Sequence, residues 1–185
     1  HQLSRGLGDV YKRQDEAYFE YVRSEDHPDA SQWLTDFPNL IVTRTFSKAY
    51  GLAALRVGYS ISHPDIADLL NRVRQPFNVD SLAQAAALAA LDDQAYLDEA
   101  VAINDAGLKQ LCDGLERLGI AYIPSAGNFV TIDLQRDATA VDEALLRLGV
   151  VTRPIANYGL PNHLRVSVGL TAENTRFLDA LEQVL

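Results

Sequence analysis

Residues 43–59 read TRTFSKAYGLAALRVGY, and this stretch decides how the rest of the chain is interpreted. An apolar run, residues 40–42, leads into it, and its hydroxylated residues are followed by a single lysine, Lys48. Buried strands of an α/β sheet are nearly all apolar, and ligands bind at the loops that follow their carboxyl ends. Gly51 and Gly58 then allow a positive φ or a close approach of the backbone. The stretch therefore predicts a strand followed by a ligand-binding loop that contains Lys48.

The side chains around Lys48 are of the kinds that bind a phosphate group. Thr45 and Ser47 supply hydroxyl groups, and Arg56 supplies a guanidinium group on the way into the next predicted strand. A guanidinium group presents a planar fork that matches phosphate oxygens. Taken singly, the lysine would be a solvated loop residue and the arginine a surface ion-pair partner, but their combination favours a phosphate site. A lysine beside a phosphate site indicates a phosphorylated aldehyde held as a Schiff base, which is pyridoxal phosphate.

Four motifs, in this order along the chain, resemble those of a known superfamily. They are residues 15–18 (DEAY), residues 47–48 (SK), Arg56 and residues 164–169 (LRVSVG). The chain resembles the aspartate-aminotransferase superfamily of pyridoxal-phosphate enzymes, and within it the histidinol-phosphate aminotransferase family. The resemblance extends from Asp15 to the last residue.

The resemblance implies roles for the residues around the cofactor. Asp15 would pair with the pyridine nitrogen, and Tyr18 would hydrogen-bond the phenolic oxygen of the ring. Lys48 would form the Schiff base and move a proton between the α-carbon of the substrate and the cofactor. The hydroxyl groups and the arginine named above would hold the cofactor phosphate. Without Lys48, the spacing of Asp15 and Tyr18 would fit a helix cap followed by an exposed tyrosine.

Three further residues match the substrate side of the family. Arg165 lies on a predicted strand and would bind the α-carboxylate of glutamate, although an arginine on a half-buried strand is often merely solvated. Arg153 is the candidate for binding the phosphate of histidinol phosphate, because Pro154 fixes the backbone directly after it. Asn128 matches a motif of the small domain on the same side.

The resemblance implies pyridoxal-phosphate-dependent transamination in histidine biosynthesis. Histidinol phosphate and 2-oxoglutarate would give imidazole-acetol phosphate and glutamate, and the full enzyme would be a homodimer with active sites at its interface. Two alternatives stay open. The chain could come from another aminotransferase or a phospho-amino-acid decarboxylase of the same superfamily, because these enzymes share the Schiff-base chemistry, or it could be a catalytically inactive remnant.

Residues 1–14 do not fit the resemblance. A strand that ends at Asp15 should be preceded by apolar residues, whereas residues 9–14 read DVYKRQ. We therefore expect residues 1–14 to be a leader foreign to the family. Family members carry a long amino-terminal half before this point, which supplies a ring-stacking aromatic residue, glycine-rich phosphate contacts and an asparagine. We therefore expect the 185 residues alone to be inactive.

The predicted fold class is α/β. Residues 15–93 are predicted to form the carboxyl-terminal part of a fold type I large domain, and residues 94–185 a small α+β domain that begins with a long linking helix. The predicted strands are residues 40–45, 57–61, 129–134, 150–153 and 164–168. The predicted helices are residues 31–37, 66–73, 81–91, 95–118, 139–148 and 171–185. The helix over residues 81–91 is apolar on every face and is predicted to be buried, with Thr171 capping the last helix and Gly119 ending the linking helix.

Composition argues against several classes of function. The chain has 185 residues, of which 48% are hydrophobic, so it can bury a substantial core. Its formal net charge of −9 argues against binding to the phosphates of nucleic acid or to an anionic membrane. No apolar run approaches the ~20 residues of a transmembrane helix, and no signal peptide is visible.

The cysteine and histidine residues carry little functional signal. The single cysteine, Cys112, can form no internal disulfide and lies among leucines, so we expect a core thiol and a reducing compartment. We therefore expect a soluble cytoplasmic protein. His27, His63 and His163 lack the spacing of metal ligands, so no metal site is predicted.

Overall fold

The computed structural model describes residues 11–22 and 27–185. The chain divides into two compact units, and the boundary between them falls between Leu97 and Asp98. This boundary lies inside a single helix that runs from Gln94 to Arg117. The assignment of the two units to the large and small domains of the family stays a prediction.

A three-stranded sheet forms the centre of the first unit. Its strands are β1 (Lys12–Asp15), β2 (Leu40–Thr45) and β3 (Gly58–Ser62), in this order across the sheet. β1 runs parallel to β2, and β3 runs antiparallel to it. The carboxyl ends of β1 and β2 and the start of β3 therefore lie at one edge of the sheet. The predicted strand over residues 40–45 is confirmed, and the next predicted strand is shifted by one residue.

β1 includes the last three residues of the predicted leader. Lys12, Arg13 and Gln14 pair in parallel with residues 40–42, although the sequence analysis placed them outside the sheet because they are polar. The correction has a simple physical reason. β1 is at an edge of the described sheet, and its side chains alternate between half-buried and exposed, so backbone pairing does not require apolar side chains here. Residues 1–10 lie outside the described part of the chain.

Two helices follow the sheet, and one of them corrects a prediction. α1 (Pro64–Val73) begins two residues before the predicted span and ends where predicted, and α2 (Ser81–Asp92) matches the predicted span to within one residue. The predicted burial of α2 on every face is wrong, because only Ala83 and Ala87 are buried and Leu82 is 76% exposed. The alanine and leucine residues favour a helix in this segment. Its burial depends on which faces of the helix pack against other parts of the protein.

The predicted helix over residues 31–37 is shorter in the structure. Only Ala30–Trp33 forms a helix, of the 3₁₀ type, and turns lead from it to Phe37. Asp29 caps this segment, since its Oδ1 accepts a hydrogen bond from the backbone nitrogen of Ser31 at 2.9 Å. Side chains of this type stabilise the first turn of a helix by satisfying its free N–H groups.

The second unit packs three helices against an antiparallel sheet. The sheet contains β4 (Ala121–Ile123), β5 (Phe129–Asp133), β6 (Arg153–Ile155) and β7 (Leu160–Ser167), in the order β4-β5-β7-β6. The helices are α3 (Gln94–Arg117), of which this unit contains the part from Asp98, α4 (Thr139–Arg147) and α5 (Thr171–Val184).

A continuous apolar core fills the space between the sheet and these helices. The largest of its fully buried side chains are Leu111, Leu115, Ile132, Leu145, Leu164 and Leu181. α3 approaches α5 closely at Gly114, where a Cβ atom would overlap the side chain of Leu178. Gly119, two residues after the end of α3, has a φ of +70°, which confirms it as the glycine that ends that helix. Cys112 is half-buried with a free thiol, so its prediction as a core residue holds only in part.

Three boundaries in the second unit differ from the predictions. The strand predicted over residues 150–153 begins only at Arg153 and continues through Pro154, which an edge strand tolerates because proline removes only one N–H group. β7 begins at Leu160, earlier than predicted. The predicted cap at Thr171 is wrong, because Thr171 is the first residue of α5 and Leu170 precedes the helix. The backbone N–H of Leu170 donates instead to the carboxylate of Glu173, at 2.8 Å.

None of the helices in the described part of the chain combines the length and the apolar character that a membrane span requires.

Candidate active site

The residues predicted to surround the cofactor lie at the edge where β1 and β2 end. Asp15 is the last residue of β1, and its backbone pairs with that of Thr43 in β2. Tyr18 follows in the turn after β1, and Thr45 is the last residue of β2. Because the two strands are parallel, residues far apart in sequence meet at this edge.

Lys48 lies in a tight turn directly after β2. The turn is held by two hydrogen bonds: Thr45 Oγ1 accepts from the nitrogen of Ser47 at 3.1 Å, and the carbonyl of Lys48 accepts from the nitrogen of Gly51 at 2.9 Å. The Nζ atom of Lys48 is 5.4 Å from the centre of the Tyr18 ring. The structure thus brings the predicted lysine next to a residue that follows the neighbouring strand.

Two glycines allow the backbone to form this turn. Gly51 has a φ of +71°, and a Cβ atom there would lie 2.7 Å from the hydroxyl oxygen of Tyr96. At Gly58 a Cβ atom would lie 2.7 Å from the carbonyl oxygen of Arg44 on the neighbouring strand. The predictions of a positive φ and of a close backbone approach are both confirmed.

Arg56 lies just before β3 and faces the hydroxyl of Ser47. One of its Nη atoms donates to Ser47 Oγ at 3.5 Å and to the carbonyl of Ala53 at 2.8 Å. Its own backbone has a φ of 51° and a ψ of 40°, a left-handed conformation that is unfavourable for residues other than glycine. The guanidinium group of Arg56 is exposed and close to the lysine turn.

These groups fit a phosphorylated aromatic aldehyde. The hydroxyl of Ser47 and the guanidinium of Arg56 can bind a phosphate group together, since their separation is that of a hydrogen bond. The amine of Lys48 lies beside an aromatic ring, and the carboxylate of Asp15 is exposed at the end of the adjacent strand. The roles of these residues in binding a cofactor stay predictions.

The second unit contains the three residues predicted to bind substrate. Arg165 in β7 and Arg153 in β6 are direct partners in the strand register, so their side chains lie on the same face of the sheet. Like charges directly opposite each other destabilise a sheet unless an anion or another partner compensates. The guanidinium carbon of Arg165 is 5.0 Å from the centre of the Phe129 ring. Asn128 directly precedes β5, and its carbonyl accepts from the nitrogen of Val168 at 2.9 Å.

A charged cluster behind the edge of the first sheet was missed by the sequence analysis. Arg44 donates to Glu16 Oε2 from Nε at 3.0 Å and from Nη2 at 2.8 Å, and Nη2 also reaches Asp29 Oδ1 at 2.5 Å. The other oxygen of Glu16 accepts from the nitrogen of Ala30 at 3.1 Å. The guanidinium carbon of Arg44 lies 3.6 Å above the centre of the Phe19 ring. The only sequence signal is an arginine inside an otherwise apolar and hydroxylated strand.

Burial and charge act in opposite directions in this cluster. Burial alone would raise the pKa of Asp29, but the hydrogen bonds from Ser31 and the charge of Arg44 outweigh it and lower that pKa. Burial raises the pKa of Glu20, and the nearby Arg44 offsets this only in part. Within the described residues, one carboxyl oxygen of Glu20 is buried and accepts no hydrogen bond. Glu20 therefore keeps its proton to a higher pH than an ordinary glutamate.

The chain is similar in sequence to known proteins over most of its length. The family model for aminotransferase class I and II matches residues 13–181. A histidinol-phosphate aminotransferase of Pseudomonas fluorescens is 61% identical over 92% of this chain and 46% of its own length, and one of Methylococcus capsulatus is 63% identical over the same shares. The chain therefore spans about half the length of the curated relatives that it matches.

A solved structure supports the fold. The histidinol-phosphate aminotransferase of Sinorhizobium meliloti, solved in complex with pyridoxal 5'-phosphate, superimposes with a TM-score of 0.84 at 36% identity, over 93% of this chain and 48% of that one. This similarity confirms the predicted α/β class as part of a pyridoxal-phosphate-dependent aminotransferase fold. The chain belongs to the family of class I and II aminotransferases.

Proposed function

We propose that this chain forms the lysine-bearing part of a pyridoxal-phosphate-dependent enzyme that transfers an amino group between histidinol phosphate and 2-oxoglutarate. The observation that carries the proposal is the meeting of Lys48, Ser47 and Arg56 with Tyr18 at the carboxyl edge of two parallel strands. The two histidinol-phosphate aminotransferases to which the chain is similar support this choice of substrate. The amino-transfer product of histidinol phosphate would be imidazole-acetol phosphate.

Each residue of the first unit would have a defined task. Ser47 and Arg56 would bind the cofactor phosphate, with Thr45 holding the turn through its bond to the nitrogen of Ser47. The carboxylate of Asp15 would hold a proton on the pyridine nitrogen. Bound pyridoxal phosphate supplies an electron sink for the bonds at the α-carbon of an amino substrate. The amine of Lys48 would hold the cofactor covalently and, once released, take and return the α-proton.

The two opposed arginines in the second unit would bind the anionic groups of the substrates. Arg165 would bind the carboxylate of glutamate, and Arg153 the phosphate of histidinol phosphate, with Asn128 close to the same strands. An anion between the two guanidinium groups would relieve the repulsion that their register imposes. The pairing of these residues supports the proposal that both substrates are anions.

The activity of the whole protein, its location and its assembly are also part of the proposal. The chain spans 46% of its relatives, so we assign the complete reaction to a chain of the relatives' length, acting as a homodimer in the cytoplasm. The free thiol of Cys112 fits a reducing compartment.

Covalent labelling tests the central residue. The purified chain is mixed with pyridoxal phosphate, its visible absorbance is recorded, and borohydride reduction is followed by mass mapping. The sequence contains only three lysines, Lys12, Lys48 and Lys109, so the label can be assigned without ambiguity. We expect the label on Lys48, with exposed Lys109 as the internal control. Equal labelling of all three lysines would contradict a cofactor site at Lys48.

A chimera tests the reaction itself. The amino-terminal half of the Pseudomonas fluorescens relative is joined to this chain at Asp15, and the product is assayed with glutamate and imidazole-acetol phosphate. Formation of 2-oxoglutarate that is lost in Lys48→Arg would support transamination, since arginine keeps the charge but cannot shuttle the proton. Release of carbon dioxide instead would favour a decarboxylase. A chimera without either product would contradict the proposed function.

A further inference from the structure

We infer that Arg44 is a positioning residue for the candidate active site, acting through its buried pair with Glu16. In this inference the pair holds the ends of β1 and β2 at a fixed spacing, so that Asp15 and the turn of Lys48 face the same ligand. The inference rests on the proposed function, because it concerns the residues to which that function assigns the cofactor.

The alternation of side chains places the pair directly behind the site. Successive residues of a strand point to opposite faces, so Asp15 and Thr45 point to one face, and Glu16 and Arg44 to the other. Burial agrees with this, because Asp15 is exposed whereas Glu16 is 3% exposed. The nitrogen of Glu16 also continues the ladder by donating to the carbonyl of Thr43 at 2.9 Å. Each charged residue is therefore the immediate chain neighbour of a residue assigned to the site.

The geometry of the pair requires the shape of an arginine. Nε and Nη2 of Arg44 both reach one oxygen of Glu16, while Nη2 also reaches Asp29 before the 3₁₀ segment. The planar face of the same group covers the Phe19 ring. One side chain thus joins β2 to the end of β1, to the turn after β1 and to the segment at Asp29. A lysine offers a single charged point on a flexible stem and cannot make these contacts together.

The balance of charge makes Arg44 the decisive member of the cluster. The carboxyl groups of Glu16, Asp29 and Glu20 all act on this one guanidinium group. Without it, the carboxylates at the end of β1 and after it would repel each other with no cation between them. We therefore expect loss of Arg44 to disturb the two strand ends more than the middle of the strands.

Amide hydrogen exchange in the full 185-residue chain tests the positional claim. We compare Arg44→Met and Arg44→Lys with Arg72→Met, because Arg72 forms an exposed pair with Asp68 in the same unit. The expected result for both Arg44 variants is exchange about tenfold faster at the amides of Glu16 and Ser47 than in the wild type, with Val42 much less affected. No change at Arg72→Met is expected. Equal acceleration at all three amides, or none, would overturn the inference.

Labelling with pyridoxal phosphate separates positioning from stability. The double variant with Glu16→Gln and Arg44→Met removes the unpaired buried charge, so its urea midpoint should recover relative to Arg44→Met alone. Reduced labelling of Lys48 should persist in the double variant, because it still lacks the guanidinium group that joins the ends of β1 and β2. If labelling recovers together with stability, Arg44 acts through stability alone and the inference is wrong.

The same data distinguish this inference from the proposed function. A wild-type chain in which Lys48 is not labelled preferentially would refute the cofactor site, and with it a positioning role, even if the exchange pattern is as expected. A wild-type chain labelled at Lys48 whose labelling is unchanged in Arg44→Met and Arg44→Lys would refute the positioning role alone. If Arg44→Met does not fold, Arg44→Lys and Glu16→Gln decide the result.

Discussion

Gly58→Ala gives the most direct test of the arrangement around the lysine turn. A Cβ atom at position 58 would lie 2.7 Å from the carbonyl oxygen of Arg44 and 3.4 Å from the Cα atom of Thr45. Both neighbours are backbone atoms of β2, so neither can rotate away. β2 and β3 would have to separate by a few tenths of an ångström at the point where they join the site.

The magnitude follows from two opposing effects. Forcing an extra carbon into a packed position costs ~1–3 kcal/mol. Replacing a glycine also restricts the unfolded chain, which returns ~0.4–1 kcal/mol. We therefore expect a net loss of about 1–2 kcal/mol in the free energy of unfolding of the first unit. With a urea dependence of ~1–3 kcal/mol per molar, the midpoint should fall by roughly 0.3–2 M.

Tryptophan fluorescence during urea unfolding is a suitable assay. The chain has one tryptophan, Trp33, which lies in the first unit, so its signal reports on that unit alone. Ser60→Ala is the matched control, because Ser60 is exposed on the same strand and should change the midpoint little. A midpoint for Gly58→Ala equal to that of the wild type, or above it, would refute the steric reasoning. The affinity for pyridoxal phosphate should fall as well, since Arg56 lies two residues before the disturbed position.

Three further predictions concern strain, packing and protonation. Arg56→Gly should raise the urea midpoint measured by Trp33 fluorescence, because a left-handed backbone costs residues other than glycine ~1–2 kcal/mol. The same variant should bind pyridoxal phosphate more weakly, and tighter binding would contradict the phosphate role of Arg56. Leu115→Ala, at a fully buried position, should destabilise the second unit by ~2–5 kcal/mol, measured by hydrogen exchange in residues 98–185; a loss well below this range would argue against the enclosed core. Burial raises the pKa of Glu20 above its ordinary value of 4.5. The contribution of Glu20 to the free energy of unfolding is therefore fully present below pH 4.5 and is lost as pH rises through the raised pKa of the folded state. Glu20→Gln should therefore raise the midpoint more at about pH 7 than at about pH 4, and equal shifts would show that Glu20 does not titrate differently on folding.

The lysine turn could be predicted because its signals are local. The strand over residues 40–45 begins with three apolar residues and ends at Thr45, and Gly51 follows where the chain must turn. Each of these signals depends on residues that are close in sequence, so one sequence is enough to recognise it. That Asp15 ends the strand beside the one leading into this turn could be expected only through the order of motifs in a known family.

The contacts that escaped prediction all depend on partners distant in sequence. Arg44 resembles a solvated strand residue until its pairing with Glu16 is known, and nothing near either residue indicates the other. The exposure of Leu82 could not be predicted for the same reason, because helix propensity does not show which faces of a helix pack against distant parts of the chain. β1 was misjudged for a related reason, because an edge strand is held by backbone pairing and needs few apolar side chains.

The close approach of α3 and α5 at Gly114 has an evolutionary consequence. The obstacle to a larger residue there is the side chain of Leu178, and side chains, unlike the backbone that blocks Gly58, can be exchanged. A mutation that adds volume at position 114 becomes acceptable once position 178 has lost a similar volume. Among relatives, these two positions should therefore change together, with their summed volume conserved more strictly than either residue.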